Sequence, residues 1–182
     1  MKRKTLQRMV TTAVMSALAV ILTYIEIQVG PAGGSINIVM LPIVIVAYCY
    51  GLGWGIGSGL VVGFVKCLIG GGIGWGLPSI LLDYVLAYAA VGLAGIFSGK
   101  KWGLGLGAIV GCVARFVIHF ISGITIYAIV APESIAGVTT SNAWLYSLIY
   151  NGLYMLPSSA IVIVLAFVLK KPLDTYLNKK NS

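Results

Sequence analysis

Long apolar runs dominate this chain, broken by short segments that are either glycine-rich or charged. Six of these runs predict helices, roughly Thr5–Tyr24, Ile36–Tyr50, Trp54–Ile69, Pro78–Phe97, Trp102–Val130 and Ala143–Leu169. Each offers about 15–29 residues, against the roughly 20 that a bilayer crossing needs. The first run is too long for the apolar core of a signal peptide and others follow it, so it reads as a retained span. The second and third are short and separated only by Gly51–Gly53, which predicts a tight, tilted hairpin. The expected architecture is an all-α membrane protein, a six-transmembrane-helix bundle forming a single integral membrane domain over residues 1–182.

Composition supports lipid as the solvent. Of the 182 residues 59% are hydrophobic and only 9% charged, too apolar for a soluble domain of this size. The net charge of +8 could suggest nucleic acid, but its placement argues otherwise. Lys2, Arg3, Lys4 and Arg8 open the first helix, Lys100 and Lys101 follow the fourth, and Lys170, Lys171, Lys179 and Lys180 follow the sixth. With six spans all three clusters share one face, which the positive-inside rule makes cytoplasmic, together with both termini. The other face carries Glu26 and Glu133, with Asp83 one to two turns below it. Cys49, Cys67 and Cys112 all fall in spans without metal-ligand spacing and read as buried thiols.

Glycine is the one strong bias. Gly51, Gly53, Gly55, Gly57 and Gly59 alternate into the third helix, and Gly103, Gly105, Gly107 and Gly111 open the fifth. In lipid, small residues let helix backbones approach closely. Alternating glycines also weaken a helix, so an irregular start to the third is expected. The outer loops Gly30–Ser35, Gly70–Gly76 and Ala131–Asn142 are long for a small bundle. Such loops on one face commonly form a binding mouth.

Catalytic motifs are missing. Gly99-Lys100 resembles the end of a phosphate-binding loop, but Ala94 and Lys101 stand where glycine and Ser/Thr are needed. Ser58 lies among glycines, but Ile56 breaks the nucleophile-elbow pattern and His119 is the only histidine. A lone histidine with scattered carboxylates builds no zinc site. No enzyme, cofactor or metal is expected.

Binding is better supported. Asp83 stands inside an apolar run, where a carboxylate is costly and by default functional. Arg115, His119 and Gly123 recur every four residues on the fifth helix, sharing one face that Tyr127 continues. Tyr84 follows Asp83, and Tyr146 and Asn151 stand on the sixth helix. Aromatic faces attract a cation by about 0.5–2 kcal/mol each, and a carboxylate compensates its charge. Each residue also has a structural reading. His119 and Asn151 can bridge helices, Tyr127 and Tyr146 can belong to the interfacial belt, Arg115 can pair within the bundle, and Lys66 can snorkel outward.

Leu81–Tyr88 with Gly92–Gly95, Arg115–Gly123, Ala131–Glu133 and Trp144–Gly152 resemble the thiamine-specific S components (ThiT) of energy-coupling factor vitamin importers. Gly33–Ser35 leading to Met40–Pro42 is similar too, and the likeness spans nearly the whole chain. It implies six helices, an outward-facing thiamine pocket, no ATPase of its own, and partnership with a transmembrane T component and two ATP-binding subunits in the bacterial cell membrane. Position by position, the acidic ligand falls on Asp83 (glutamate in some members), its neighbour on Tyr84, the imidazole on His119 and the close-approach glycine on Gly123. A stacking aromatic falls on Tyr127, and the polar pair of the sixth helix on Tyr146 and Asn151. A loop tryptophan of some members is absent, and Trp75 is the candidate substitute. Two alanines of a coupling motif fall on Ala13 and Ala17, which otherwise read as ordinary helix packing. The implied arrangement encloses the thiazolium between Tyr127 and His119 and holds the aminopyrimidine with Asp83, Tyr84, Tyr146 and Asn151. Neutral His119 suits a cation, so binding is expected to weaken below about pH 6.5. The rival reading is a stand-alone proton-coupled carrier of thiamine or another cation, and a remoter one is an intramembrane enzyme using Ser58 or His119.

Overall fold

The structure is a computed structural model, describing the backbone of residues 3–29, 34–70, 73, 76–130, 134–135 and 138–181. Side chains are described for the same residues except 126–139 and 179–181. Helix α1 spans Arg3–Leu22, α2 Met40–Tyr50 and α3 Leu52–Ile69. Helix α4 runs over Leu77–Phe97, α5 over Gly103–Val130 and α6 over Ala143–Asn181. Two antiparallel hairpins occupy the loops: β1 (Ile27–Val29) pairs with β2 (Gly34–Ile36), and β3 (Ser134–Ile135) pairs with β4 (Val138–Thr139).

Among the described residues five helices are long and apolar enough to cross a membrane, all but α2. Large apolar side chains such as Val10, Val14, Phe64, Leu156 and Val168 point outward and are exposed. In water that surface would be prohibitive, whereas in lipid it is the solvated face. The chain is therefore a multi-pass membrane protein. Helix α2 is shorter than the predicted 36–50, because Ile36 pairs in the hairpin with Ile27. Eleven residues rise only about 16 Å, and eight of them are buried. Met40, Ile43, Val44 and Ala47 form the middle of the core, ringed by Val62, Tyr88, Val91, Leu104, Ala108 and Val162.

Three further differences from the sequence reading have local causes. Helix α3 starts as regular helix at Leu52 despite its glycines, because it is clamped against α4. A Cβ on Gly55, Gly59 or Gly63 would strike the Gly92, Tyr88 or Tyr84 carbonyl oxygen at 2.9, 2.1 or 2.3 Å, while one on Gly53 or Gly57 meets nothing within 4 Å. The helical period selects every fourth glycine for contact and leaves the intervening ones open. Helix α4 is not uniform: Ile80–Leu86 is π-helical and Gly92–Phe97 is a 3₁₀ segment. Finally, α6 continues twelve residues past the predicted Leu169, to Asn181. The apolar run ends at Leu169, but Leu173 and Leu177 still pack on the core. Asp174 anchors the extension by accepting a hydrogen bond from the Tyr48 hydroxyl at 2.5 Å and pairing with Lys170.

Candidate functional site

Where the hairpin, α3, α4, α5 and α6 converge, they enclose a cavity of about 350 Å³. It lies at the end of the bundle opposite Lys100 and Lys101. The π-helical segment of α4 matters here. A π turn widens the helix by one residue and is frequent at functional sites, and this one contains both Asp83 and Tyr84, which line the cavity.

Asp83 is partnered from within the protein. Its Oδ1 lies 3.0 Å from His119 Nδ1, and its Oδ2 accepts a 2.8 Å hydrogen bond from Ser79 one turn earlier. His119 Nε2 in turn accepts a 3.3 Å hydrogen bond from Arg115 Nε. The guanidinium lies over the Tyr88 ring, 4.1 Å from its centroid. Neither Arg115 nor Lys66 neutralises Asp83. Lys66 does not snorkel outward as the sequence suggested; it binds Glu26 at 3.1 Å and faces the cavity. The physical reason is Glu26 itself, whose carboxylate also accepts from Ser35 at 2.6 Å and Gln28 at 2.8 Å. These contacts fasten the β1–β2 hairpin to α3.

The opposite wall comes from α6. Tyr146, Tyr150 and Tyr154 recur at spacing four and present consecutive rings to the cavity, with centroid separations of 6.0 and 5.5 Å. Tyr150 accepts a 2.9 Å hydrogen bond from the Gly34 N–H, tying the hairpin to α6. Asn151 is 2% exposed; it donates to the His119 and Ser147 carbonyls and accepts from Tyr154 at 2.6 Å. It therefore bridges helices and lines the cavity at once.

Gly123 explains how α5 and α6 come so close. A Cβ there would lie 2.3 Å from Ser147 Oγ and 2.9 Å from Asn151 Nδ2. Gly123→Val is expected to wedge these helices apart, displace Asn151 and abolish high-affinity ligand binding, as measured by calorimetric titration. Binding equal to wild type would show that the contact is dispensable.

Of the residues expected from sequence, Asp83, Tyr84, His119, Gly123, Tyr146 and Asn151 are brought together around one cavity. Trp75 lies outside the described residues, and so does the side chain of Tyr127. Ala13 and Ala17 are on the exposed face of α1, away from its buried Ser16 and Ala19. Sequence reasoning did not include Tyr88, Tyr150, Tyr154, Lys66, Glu26 and Asn37 in the site. The four-residue tyrosine spacing from Tyr84 to Tyr88 and from Tyr146 to Tyr154 was a usable signal for three of them. Ser58 is fully buried against Ser16, Oγ to Oγ 2.8 Å, and does not line the cavity.

The fold and site thus define a membrane-embedded, tyrosine-walled cavity with an acid–imidazole pair. The family model described as thiamine transporter protein (Thia_YuaJ) matches residues 9–178. The chain is 34% identical to the thiamine transporter ThiT of Bacillus subtilis, covering 91% of this chain and 92% of that one. It is 32% identical to ThiT of Lacticaseibacillus paracasei, covering 92% and 89%. This chain belongs to the thiamine transporter (Thia_YuaJ) family, whose curated relatives are transporters rather than enzymes. Solved structures share its fold. ThiT from Listeria monocytogenes superposes with a TM-score of 0.81 at 23% identity, over 96% of this chain and 99% of the other. The S component of a bacterial ECF transporter gives 0.63 at 18% identity, over 94% and 97%.

Proposed function

We propose that this chain is the thiamine-capturing S component of an ATP-driven ECF importer. In this reading it is a single integral domain of the bacterial cell membrane. It crosses six times, with both termini cytoplasmic and the cavity open to the outside. The observation that carries the proposal is Asp83, a carboxylate within an apolar helix, facing a cavity walled by Tyr84, Tyr146, Tyr150 and Tyr154. Carboxylate and aromatic faces together favour a cationic heteroaromatic guest.

The roles follow from chemistry. Asp83, Tyr84, Tyr146 and Asn151 hold the aminopyrimidine, a neutral ring with donors and acceptors on its edge. His119 and Tyr127 flank the positive thiazolium, and Gly123 lets α5 and α6 approach closely enough for Asn151 to sit beside His119 at the cavity. Trp75 supplies a further aromatic wall from its loop. The β1–β2 hairpin, fixed by Glu26–Lys66 and Gly34–Tyr150, retains the guest.

Delivery requires partners, a transmembrane T component and two ATP-binding subunits. Ala13 and Ala17 are exposed small residues four apart, which suits close packing of a partner helix. Proteoliposomes test this directly. The chain alone is expected to bind thiamine without accumulating it, and uptake should need the partner subunits and ATP. Ala13→Trp is expected to abolish uptake while leaving binding intact. Uptake driven by a proton gradient in vesicles holding only this chain would support the stand-alone carrier instead.

A further inference from the structure

We propose that Arg115 is a positioning residue that keeps His119 neutral, so that the cavity goes on presenting an uncharged imidazole to a cationic guest in acidic surroundings. This inference rests on reading the cavity as a thiamine site, and it concerns a residue to which that reading gives no role.

The geometry is specific. Arg115 is 5% exposed and His119 7% exposed, and they stand one turn apart on α5. Arg115 Nε donates to His119 Nε2 at 3.3 Å. A guanidinium has only donors and keeps its proton in proteins, so Nε2 must offer a lone pair. The imidazole hydrogen then belongs to Nδ1, which points at Asp83 Oδ1 3.0 Å away. Asp83, His119 and Arg115 form a directed chain in which a neutral ring links a carboxylate to a guanidinium. Adding a proton at Nε2 would set N–H against N–H and put a second positive charge beside the first. Among the described residues no carboxylate forms an ion pair with Arg115; its cation lies over the Tyr88 ring.

Polar and charged groups face the ring from every packed element. From α4, Asp83 favours a protonated imidazole, and Tyr84 and Tyr88 are neutral phenols lining the same cavity. From α3, Lys66 is a cation whose charge Glu26 of the hairpin engages. From α6, Tyr154 meets the imidazole edge-on with ring centroids 6.1 Å apart, Tyr150 is a neutral cavity-lining phenol, and Asn151 binds the His119 backbone carbonyl. Asp83 and Arg115 touch the ring at similar range with opposite sign. The lone-pair requirement at Nε2 therefore decides the outcome. This changes the expectation drawn from sequence alone, in which binding weakens below about pH 6.5.

The test uses the full chain in detergent, titrated with thiamine at pH 7.5 and 5.5. Wild type should lose less than about twofold in affinity. Arg115→Gln frees an ordinary histidine beside the cation and should lose about tenfold or more over the same interval, the fraction set by a group titrating near 6.5. Arg115→Lys should restore the flat profile. A purely structural Arg115 would lower affinity equally at both pH values.

His119 is the only histidine in the chain, so nitrogen-15 histidine labelling gives a single imidazole to follow by NMR without ligand. The expected result at pH 5.5 is a neutral ring with hydrogen on Nδ1 in wild type and a protonated ring in Arg115→Gln. A protonated wild-type ring, or an Arg115→Gln pH profile matching wild type, overturns the proposal. If Arg115→Gln does not fold, the wild-type ring state alone decides. Failure of thiamine to bind at all would instead sink the site reading and leave the NMR result standing.

Discussion

Asp83→Asn should lower thiamine affinity roughly 100-fold, the scale of about 3 kcal/mol expected when one partner of a buried charged contact is removed. The substitution keeps size and shape: the amide oxygen can still accept from His119, and the amide NH2 can donate to the Ser79 hydroxyl. What disappears is the charge that offsets the cation inside a low-dielectric cavity. Tyr127→Phe should cost far less, because the ring face that attracts a cation survives loss of the hydroxyl. Equilibrium titration of both variants measures the contrast. Near-wild-type binding by Asp83→Asn would remove the residue around which the site is built.

Gly59→Val should produce the largest loss of stability. Even the first carbon of a side chain would lie 2.1 Å from the Tyr88 carbonyl oxygen and 2.9 Å from Ala89 Cα. Both obstacles are backbone, so no rotamer change relieves the clash, and α3 must move off α4. Overpacking typically costs about 1–3 kcal/mol; with backbone on both sides, the top of that range or beyond is expected. Thermal unfolding in detergent should fall by roughly 6–12 °C. Gly57→Ala is the control: the same helix and residue type, but nothing within 4 Å of the added carbon. It should be neutral or stabilising by up to about 1 kcal/mol, since alanine suits a helix better than glycine. Equal damage from both would show that helix propensity, rather than the α3–α4 contact, governs stability.

What the sequence revealed follows the physics of each feature. Asp83, His119 and Asn151 were legible because polar groups in apolar runs are costly and few. Long spans were legible because lipid demands them. The hairpin was not, since three-residue strands carry no pattern and form here through Gly34–Tyr150 and Glu26–Ser35. The π-helical turn around Asp83 was hidden as well, because one extra residue per turn leaves no compositional trace in an otherwise apolar run. Lys66 was misread because a lysine near a helix end snorkels by default, and its actual partner, Glu26, comes from a distant loop. The start of α2 was placed too early because Ile36 is equally apolar in strand or helix.

The resemblance to S components, drawn first from motifs on the fourth to sixth helices, agrees with the family match over residues 9–178. The same motifs carry Asp83, His119 and Asn151, which explains why fold and site could be read together. Trp75 and the Tyr127 side chain lie outside the described residues.

Calorimetric titration of the purified chain with thiamine, alongside uncharged vitamins of similar size, tests the central claim most directly. One thiamine should bind per chain with submicromolar affinity, and the neutral vitamins should give no saturable heat. Absence of thiamine binding, or equal affinity for an uncharged vitamin, would contradict a cavity organised around Asp83 for a cationic guest.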